Sequence, residues 1–394
     1  MKLAMVGFGQ AGGKILDRFI EYDEQHDAGI VRAAVAVNTA KADLMGLDHV
    51  PQENRILIGQ SRVKGHGVGA DNELGAEIAE EDRDEVMGAI DNIPVHEIDA
   101  FLIIAGLGGG TGSGGAPVLA RQLKRIYTEP VYGLGVLPGT DEGGIYTLNA
   151  ARSFQTFVRE TDNLLVFDND AWRQSGESME GGYDEINKEI VTRFGILFGA
   201  GEVKEGSEVA ESVVDSSEII NTLSGGGVST IGYAAESVAD ETNDDGGLLS
   251  RLTGGSSQEP QDSSATTNRI SSLVRKAALG RLTLPCEIEG VERALLVTAG
   301  PSAFLNRKGI ERGRKWLEEQ TGSMEVRGGD YPVNGSSQVA SVVLLSGVTD
   351  APRIKELQQV AVEAKDNIDD IKSESEDNLE ELVQDDEDEL ESLF

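Results

Sequence analysis

Gly106-Leu107-Gly108-Gly109-Gly110-Thr111-Gly112-Ser113-Gly114 is the most informative stretch of this 394-residue sequence. It follows a short apolar run at 101–105 and leads into a helical pattern with Pro117 in its first turn. Glycines lack a Cβ atom, so the backbone amides of such a loop can close around an anion, and the Thr111 and Ser113 hydroxyls can add donors. A flexible hinge is the alternative, but a hinge needs neither this pattern nor a helix behind it. The stretch therefore predicts a phosphate-binding loop.

Short apolar runs alternate with helical patterns over the first 170 residues. The runs lack the apolar and polar alternation of a half-exposed sheet, which is typical of parallel strands covered by helices on both faces. We predict a doubly wound parallel-sheet α/β domain, whose ligands bind beyond the carboxyl ends of the strands. The predicted strands span residues 2–7, 31–38, 100–105, 131–137 and 163–168.

A second glycine-rich segment, Gly7-Phe8-Gly9-Gln10-Ala11-Gly12-Gly13-Lys14, follows the first predicted strand and opens a helix, where free amides favour a phosphate. Its glycines also fit the G-x-G-x-x-G fingerprint of dinucleotide-binding enzymes. Asn38, however, replaces the acid that those enzymes use for the ribose. Phe8 and Ile15 stand where a Walker loop needs Gly and Ser or Thr. Taken alone, the segment predicts either a phosphate loop or a tight structural turn.

A long helix is predicted in the middle of the chain, over residues 183–200, and it ends beside glycines 199 and 201. We interpret it as the link between two halves of the molecule. Its apolar positions at helical spacing are Ile186, Ile190, Phe194 and Leu197.

The second half of the chain has a different pattern. Residues 240–267 are rich in Gly, Ser, Asp, Glu and Gln, and predict a flexible insertion. Beyond it, predicted strands at 294–298 and 339–345 flank a predicted helix at 309–320. This arrangement indicates a smaller C-terminal α+β domain, followed by an acidic, disordered tail at 366–394.

Acidic residues outnumber Lys and Arg by 69 to 34, which gives a net charge of −35. A protein of this charge is not expected to bind nucleic acid through a basic face. The tail contributes only 13 of these negative charges, so 22 remain on the rest of the chain. Salt would screen such repulsion, because the Debye length falls to about 3 Å at 1 M ionic strength. We therefore expect a halophilic source; a merely soluble acidic protein is the alternative.

The single cysteine, Cys286, excludes an internal disulfide and a cysteine-based zinc site. The N-terminus lacks the pattern of a signal peptide, and no apolar run reaches the roughly 20 residues that a membrane-spanning helix needs. We expect a cytoplasmic protein that does not insert into a membrane. The four histidines lack partners at metal-binding spacing, so no protein metal site is predicted.

The GGGTGSG motif at 108–114 closely resembles the signature of the tubulin and FtsZ proteins, and the resemblance extends over most of the chain. Segment 9–12 resembles the first phosphate loop of that superfamily, Asn38-Thr39 resembles the pair after its second strand, and segment 65–72 resembles the loop that senses the γ-phosphate. By this resemblance, the residues of these segments expected to bind the nucleotide are Gly9, Gln10, Ala11, Gly12, Gly13, Lys14, Asn38, Ala70, Asp71, Asn72, Gly108, Gly109, Gly110, Thr111, Gly112 and Ser113.

The resemblance also implies how a nucleoside is held. Glu142 stands where the family binds the ribose hydroxyls, and Asn169 stands where it reads guanine. Tyr183 and Asn187 are four residues apart on the predicted central helix, so they share a face that suits stacking on a base and hydrogen bonding to it. A capped helix would explain either residue alone. Two Asn side chains offer the acceptor and donor that guanine needs, so we predict GTP or GDP rather than an adenine nucleotide.

Asp215-Ser216-Ser217-Glu218 places two acids on one side of a helical turn. Acids at such a position often serve only as helix caps. In the tubulin and FtsZ superfamily this position belongs to a loop that enters the nucleotide pocket of the next subunit. The resemblance therefore implies that Glu218 orients or deprotonates the attacking water and that Asp215 supports it. Val213 departs from FtsZ, which has Asn there, and Tyr146 stands where FtsZ has Arg.

These departures and the charge fit the CetZ branch of the superfamily best. The resemblance implies head-to-tail filaments of this chain, GTP hydrolysis at the interface between subunits, Mg²⁺ held mainly by phosphates and water, and a role in cell shape and motility. A protein partner of the acidic tail is possible. A nicotinamide-dependent oxidoreductase and a non-hydrolysing nucleotide-binding regulator are the alternatives. The expected regions are a GTP-binding domain (1–182), a central helix (183–201), a catalytic loop with a connecting helix (202–239), the insertion (240–267), the C-terminal domain (268–365) and the tail (366–394).

Overall fold

The computed structural model describes residues 1–172, 179–200, 214–238, 263–333 and 335–364. Within these ranges, ten strands pair into one sheet. They are β1 (Leu3–Phe8), β2 (Val31–Asn38), β3 (Arg55–Leu57), β4 (Ala100–Gly106), β5 (Val131–Leu137), β6 (Asn163–Asp168), β7 (Val228–Ser237), β8 (Arg293–Gly300), β9 (Glu325–Pro332) and β10 (Gln338–Ser346).

Helices cover the sheet and join its strands. They are α1 (Gly9–His26), α2 (Lys41–Met45), α3 (Gln60–Val63), α4 (Asn72–Glu81), α5 (Arg83–Ile90), α6 (Thr111–Ile126), α7 (Gly144–Glu160), α8 (Asn169–Trp172), α9 (Met179–Gly199), α10 (Ser216–Leu223), α11 (Ser263–Leu279) and α12 (Arg307–Thr321). A last helical segment, at 352–364, is named the C-terminal helix below.

The strand order across the sheet is β3-β2-β1-β4-β5-β6-β7-β10-β8-β9. Neighbouring strands from β3 to β7 are parallel, β10 is antiparallel to both β7 and β8, and β9 is parallel to β8. Every strand except β10 therefore points in the same direction. One edge of the sheet collects the carboxyl ends of these strands, and the opposite edge collects their amino ends.

The sheet is buried on both faces, as β6 shows. All six of its residues are buried. Leu165 and Phe167 belong to one apolar cluster, whereas Leu164 and Val166 belong to a second cluster on the other face. Alternate residues of a strand point to opposite faces. Burial on both faces explains why these strands read as continuous apolar runs.

The central helix α9 packs along the first cluster through its apolar face. The amino group of Met1 donates a buried hydrogen bond of 2.6 Å to the Phe198 carbonyl near the end of this helix. The Arg193 guanidinium lies 4.2 Å from the centroid of the Trp172 ring and 5.0 Å from that of Tyr233. These contacts tie α9 to the start of the chain, to α8 and to β7.

The doubly wound first half, the long central helix and the smaller C-terminal α+β half are confirmed. The central helix begins at Met179, four residues before its predicted start. Helix α11 begins at Ser263, inside the predicted insertion, and strands β3, β7 and β9 were not predicted. The rest of that insertion (240–262), segment 201–213 with Val213, and the tail at 366–394 lie outside the described residues. No helix in the described part of the chain is long and apolar enough to cross a membrane.

Candidate functional site

The two glycine-rich segments meet beyond the carboxyl ends of β1 and β4. Gly9 has φ of +74°, and a Cβ atom there would lie 2.8 Å from the Gly112 amide nitrogen. A Cβ atom at Gly12 would lie 2.1 Å from the Ile104 carbonyl oxygen. Only glycine permits these approaches. Helices α1 and α6 therefore begin side by side, and the first-turn amides of a helix have no partner within the helix and favour an anion.

Several predicted phosphate ligands lie at these helix starts. Gln10, Ala11 and Lys14 are exposed on the first turns of α1, whereas Gly13 is buried. Ser113 turns its hydroxyl back towards the loop, where it donates to the carbonyls of Gly109 and Gly110. In the described residues, no heavy atom beyond the chain neighbours lies within 4 Å of a Cβ atom built on Gly109. The loop thus has free space beside Gly109, whereas Gly108, Gly110 and Gly112 are closely packed.

The turn after β2 is held by Asn38, which is almost completely buried. Its Oδ1 atom accepts from the amides of Thr39 (2.8 Å) and Ala40 (3.1 Å), and its Nδ2 atom donates to Asp43 (3.1 Å). The Thr39 hydroxyl then hydrogen-bonds to the Thr111 hydroxyl at 2.7 Å. Asn38 therefore shapes the turn, and Thr39 joins it to the glycine-rich loop of α6.

The predicted γ-phosphate loop, residues 65–72, packs against the same place. Gly67 donates to the Thr39 carbonyl at 3.2 Å. A Cβ atom at Gly110 would lie 2.5 Å from a Val68 methyl group. Ala70 has φ of +64°, a conformation that is unfavourable for a residue with a Cβ atom and that clusters at functional sites. Asp71 then caps α4 by accepting from the Leu74 amide at 3.0 Å, and Asn72 is buried at the start of that helix.

Asn149, on α7, was not singled out from the sequence. It is buried, and its Nδ2 atom donates to the carbonyls of Ala70 (2.6 Å) and Gly108 (3.0 Å). Ser153, one turn later, donates to the Ser113 carbonyl at 2.7 Å. A polar pair at i and i+4 on the buried face of a helix is the signal that could have identified them. Both side chains fix the phosphate loops to α7.

The predicted ribose and base residues follow β5 and β6. Glu142 accepts from the Gly139 amide at 2.7 Å, so its carboxylate closes the loop after β5. Asn169 is 6% exposed. Its Oδ1 atom is fully buried, and no described residue donates a hydrogen bond to it. Buried acceptors are rarely left unpaired, so the described residues alone do not account for this atom.

Tyr183 and Asn187 are half-buried on one face of α9. Arg18 of α1 forms a 2.5 Å ion pair with Asp184, which places this part of α9 alongside the helix that begins at Gly9. The glycine-rich segments, Asn38, Glu142 and Asn169 thus follow the carboxyl ends of β1, β4, β2, β5 and β6, whereas Tyr183 and Asn187 lie on α9, beside the middle of α1.

The predicted catalytic acids lie at the opposite edge of the sheet. Asn163, the first residue of β6, donates to the Leu223 carbonyl at the end of α10 at 3.0 Å. Arg293, the first residue of β8, donates to the Asn221 carbonyl at 3.1 Å. Helix α10 is therefore fixed to the amino ends of these strands. A six-residue strand such as β6 is about 20 Å long, so Glu218 cannot reach the glycine-rich loops of its own chain.

The two acids have different environments. Asp215 caps α10 by accepting from the Glu218 amide at 3.1 Å, and a 2.5 Å hydrogen bond from the Ser217 hydroxyl lowers its pKa. Burial raises the pKa of Glu218, and the charge of Asp215 raises it further, whereas Arg327 and Arg314 oppose the shift. The Glu218 Oε2 atom is buried without a hydrogen-bond partner in the described part of the chain.

No group of three or more His, Cys, Asp or Glu side chains in the described ranges is arranged to hold a metal ion. The hydroxyls of Thr111 and Ser113 are engaged with Thr39 and with the carbonyls of Gly109 and Gly110. The first-turn amides of α1 and α6 instead suit a ligand with anionic oxygens. Such a ligand can carry Mg²⁺ on its own phosphates, since Mg²⁺ keeps several waters and takes few protein ligands.

Comparison with known proteins agrees with this geometry. Residues 2–177 match the GTPase domain of the tubulin/FtsZ family, and residues 176–363 match the C-terminal domain of tubulin-like CetZ. Tubulin-like protein CetZ1 of Haloferax volcanii is 78% identical over 373 residues, which cover 94% of each chain.

Two solved structures from the same organism are similar throughout. The GDP-bound monomer of CetZ1 has a TM-score of 0.83 at 73% identity and covers 93% of this chain and 100% of its own. The GTPγS-bound protofilament of CetZ2 has a TM-score of 0.81 at 45% identity and covers 94% of this chain and 100% of its own. The resemblance inferred from the glycine-rich loops is confirmed. The chain therefore belongs to the CetZ family of tubulin-like proteins, within the tubulin and FtsZ superfamily.

Proposed function

We propose that this protein binds GTP at the carboxyl edge of its sheet and hydrolyses it only when a second copy places Glu218 against the nucleotide. The observation that carries the proposal is the separation of the two half-sites. The phosphate loops follow β1 and β4, whereas α10 is fixed at the amino ends of β6 and β8. Head-to-tail stacking brings the two edges of successive subunits together.

Guanine is the proposed base because of Asn169. Its buried, unpaired Oδ1 atom can accept a hydrogen bond from the N–H groups of guanine. Adenine carries an acceptor at its ring N1 atom and a donor only at its N6 amino group, so an acceptor placed at the N1 and N2 positions of the base favours guanine. Tyr183 stacks on the base and Asn187 hydrogen-bonds to it, while Glu142 binds the ribose.

Glu218 is the proposed catalytic base. A carboxylate whose pKa is raised by burial is a better proton acceptor than an exposed one. At the interface it orients a water molecule for attack on the γ-phosphorus and takes a proton from it as the bond to the leaving GDP oxygen breaks. Asp215 positions Glu218 by capping the helix that carries it. Mg²⁺, which would be held mainly by the nucleotide phosphates and water, would supply charge neutralisation on the leaving group.

Loss of the γ-phosphate removes the contacts made by residues 69–72, so the nucleotide state sets the strength of the interface. The protofilament structure of the CetZ2 relative supports this mode of assembly. We further propose a cytoskeletal role in cell shape and motility in the cytoplasm, and a protein partner for the acidic tail.

The test is GTP turnover per subunit against protein concentration, with light scattering, in molar KCl and Mg²⁺. We expect turnover to rise steeply with concentration and with scattering. Constant turnover at all concentrations would show a self-contained site, and no turnover at any concentration would favour a non-hydrolysing regulator. Glu218→Gln should bind GTP and assemble but hydrolyse it slowly.

A mixing experiment tests whether the site is shared. Gly109→Asp places a negative charge in the open part of the phosphate loop and should prevent GTP binding, whereas Glu218→Gln removes the catalytic acid. Each variant alone should be inactive. A mixture should recover part of the activity, because a Glu218→Gln subunit can bind GTP and a Gly109→Asp subunit can supply Glu218. No recovery, with both variants folded and mixed filaments formed, would contradict the shared site.

A further inference from the structure

Arg353 connects the C-terminal helix to the loops that follow β5 and β6. Its Nη2 atom donates to the Pro138 carbonyl at 2.9 Å, and its Nε atom lies 3.7 Å from Asp168 Oδ1. Glu356, one turn later on the same helix, pairs with its Nη1 atom at 2.7 Å. Pro138 begins the loop of Glu142, and Asp168 directly precedes Asn169. One guanidinium therefore touches both the ribose loop and the base loop.

The two loops are also joined to each other. The Asp170 carboxylate accepts from the Thr140 amide at 3.0 Å and from the Thr140 hydroxyl at 2.9 Å. The Asp170 amide in turn donates to Asp168 Oδ1 at 3.2 Å. Together with the contacts of Arg353, these bonds form a closed ring from Arg353 through Asp168 and Asp170 to Thr140. The backbone from Thr140 to Pro138 and the hydrogen bond between Pro138 and Arg353 complete the ring.

This ring is buried where it meets the C-terminal helix. Asp168 is 4% exposed and Arg353 is 6% exposed. A buried ion pair is expensive to desolvate and is weak support for stability alone. No described residue accepts a hydrogen bond from Arg353 Nε, so the pair is not fully satisfied. A buried ion pair that adds little stability but links the loops after β5 and β6 indicates that its role is to fix the positions of these two loops.

We propose that Arg353 is a positioning residue for the nucleoside half of the GTP site. It holds the ribose loop and the base loop at the separation that guanosine requires, and thereby makes nucleoside affinity depend on the docked C-terminal helix. This inference rests on the proposed function. In the described part of the chain Arg353 forms no hydrogen bond to the glycine-rich loops, although the Pro138 ring would lie 3.0 Å from a Cβ atom at Gly108. We therefore expect Arg353 to act on Glu142 and Asn169 more than on the phosphate contacts.

The test compares Arg353→Gln with Lys355→Gln, which removes a positive charge from the same helix. Among the described residues, Lys355 forms an ion pair with Asp350 on the surface. The dissociation constants of GTP and of inorganic tripolyphosphate are measured for each full-length protein, with the melting temperature as a check of folding. We expect Arg353→Gln to weaken GTP binding roughly tenfold, the size of losing one hydrogen bond to a charged group, and to weaken tripolyphosphate binding much less. Arg353→Lys should recover part of the GTP affinity, and Lys355→Gln should change neither constant.

Thr140→Val provides a second test, because it removes the exposed hydroxyl that bonds Asp170 without disturbing the core. It should also weaken GTP binding and spare tripolyphosphate binding. Equal weakening of both ligands, or no change in GTP affinity in both Arg353→Gln and Thr140→Val, would overturn the inference. If the parent protein itself fails to bind GTP while it binds tripolyphosphate, the proposed function fails and this inference fails with it.

Discussion

The hydroxyl groups of Thr39 and Thr111 share a buried hydrogen bond of 2.7 Å. Thr39 follows β2, and Thr111 is the first residue of α6, 72 residues further along the chain. The hydroxyl pair therefore joins the turn after β2 to the start of the helix that follows the glycine-rich loop.

Thr39→Val should destabilise the protein by about 1–3 kcal/mol, because it leaves the buried Thr111 hydroxyl without its partner. Thr39→Ser keeps the hydroxyl, so its free energy of unfolding should fall much less. Chemical unfolding of both variants without nucleotide measures the difference. Equal stabilities of the Val and Ser variants would show that the hydrogen bond contributes nothing.

Gly109 and Gly110 should respond differently to the same substitution. A Cβ atom at Gly110 would lie 2.5 Å from a Val68 methyl group and 2.9 Å from the Asp71 amide nitrogen, whereas the space at Gly109 is open. We expect Gly110→Ala to lower the melting temperature, and Gly109→Ala to leave it unchanged while weakening GTP binding. Calorimetry and GTP titration separate the two effects. Unchanged GTP affinity in folded Gly109→Ala would remove this residue from the phosphate site.

Stability should depend on the ionisation of Asp168. Burial, together with the charges of Asp170 and Glu356, raises the pKa of this carboxyl to about 6, although the charge of Arg353 opposes the shift. A group whose pKa is higher in the folded state than in the unfolded state stabilises the fold at low pH, and this contribution is lost as the pH rises through about 6. The full shift corresponds to roughly 3 kcal/mol.

The side chain of Asp168→Asn cannot ionise, so this variant should not lose stability in this way as the pH rises. Without nucleotide, its melting temperature should rise relative to the parent protein as the pH increases from 4 to 7. A constant difference over this range would show that Asp168 does not titrate with a raised pKa. A difference that changes in the opposite direction would show that the attraction of Arg353 outweighs burial.

The negative charge of the chain should make its stability depend on salt. Screening shortens the Debye length from about 10 Å at 0.1 M to about 3 Å at 1 M ionic strength. With a net charge of −35, we expect the melting temperature to rise between low and molar KCl. A melting temperature that does not rise would contradict the prediction of a halophilic protein.

The strands of the first half were predictable because burial on both faces leaves unbroken apolar runs, as in β5 and β6. Strand β9 was not predictable in this way, since Gly328 and Gly329 interrupt it and Pro332 ends it. Strand β7 is buried only in its first half, where Ser229 and Thr230 break the apolar pattern, and it ends in the exposed residues Glu236 and Ser237. Helix α11 was not predicted either: its Ser- and Thr-rich start has the same composition as the predicted insertion, and its first five residues lie within that insertion.

The phosphate side of the site could be predicted because its glycines are contiguous in sequence. The supports of these loops could not, since they are single residues from distant elements. Asn149 reaches Ala70 across 79 positions, and Arg353 reaches Pro138 across 215. Nothing near Arg353 in the sequence marks it as different from the exposed charges around it. The roles assigned to the site residues themselves stay predictions until GTP binding and turnover are measured.

The fixed position of α10 at the amino edge of the sheet determines how many complete active sites a filament can contain. If each complete site needs the carboxylate of a neighbour, a row of subunits always contains one fewer working site than it has members. The terminal subunit at one end keeps its GTP, whereas the other end presents a Glu218 with nothing to act on. The two ends of such a filament are therefore chemically different. The fraction of subunits that lack a complete site is larger in a short filament than in a long one.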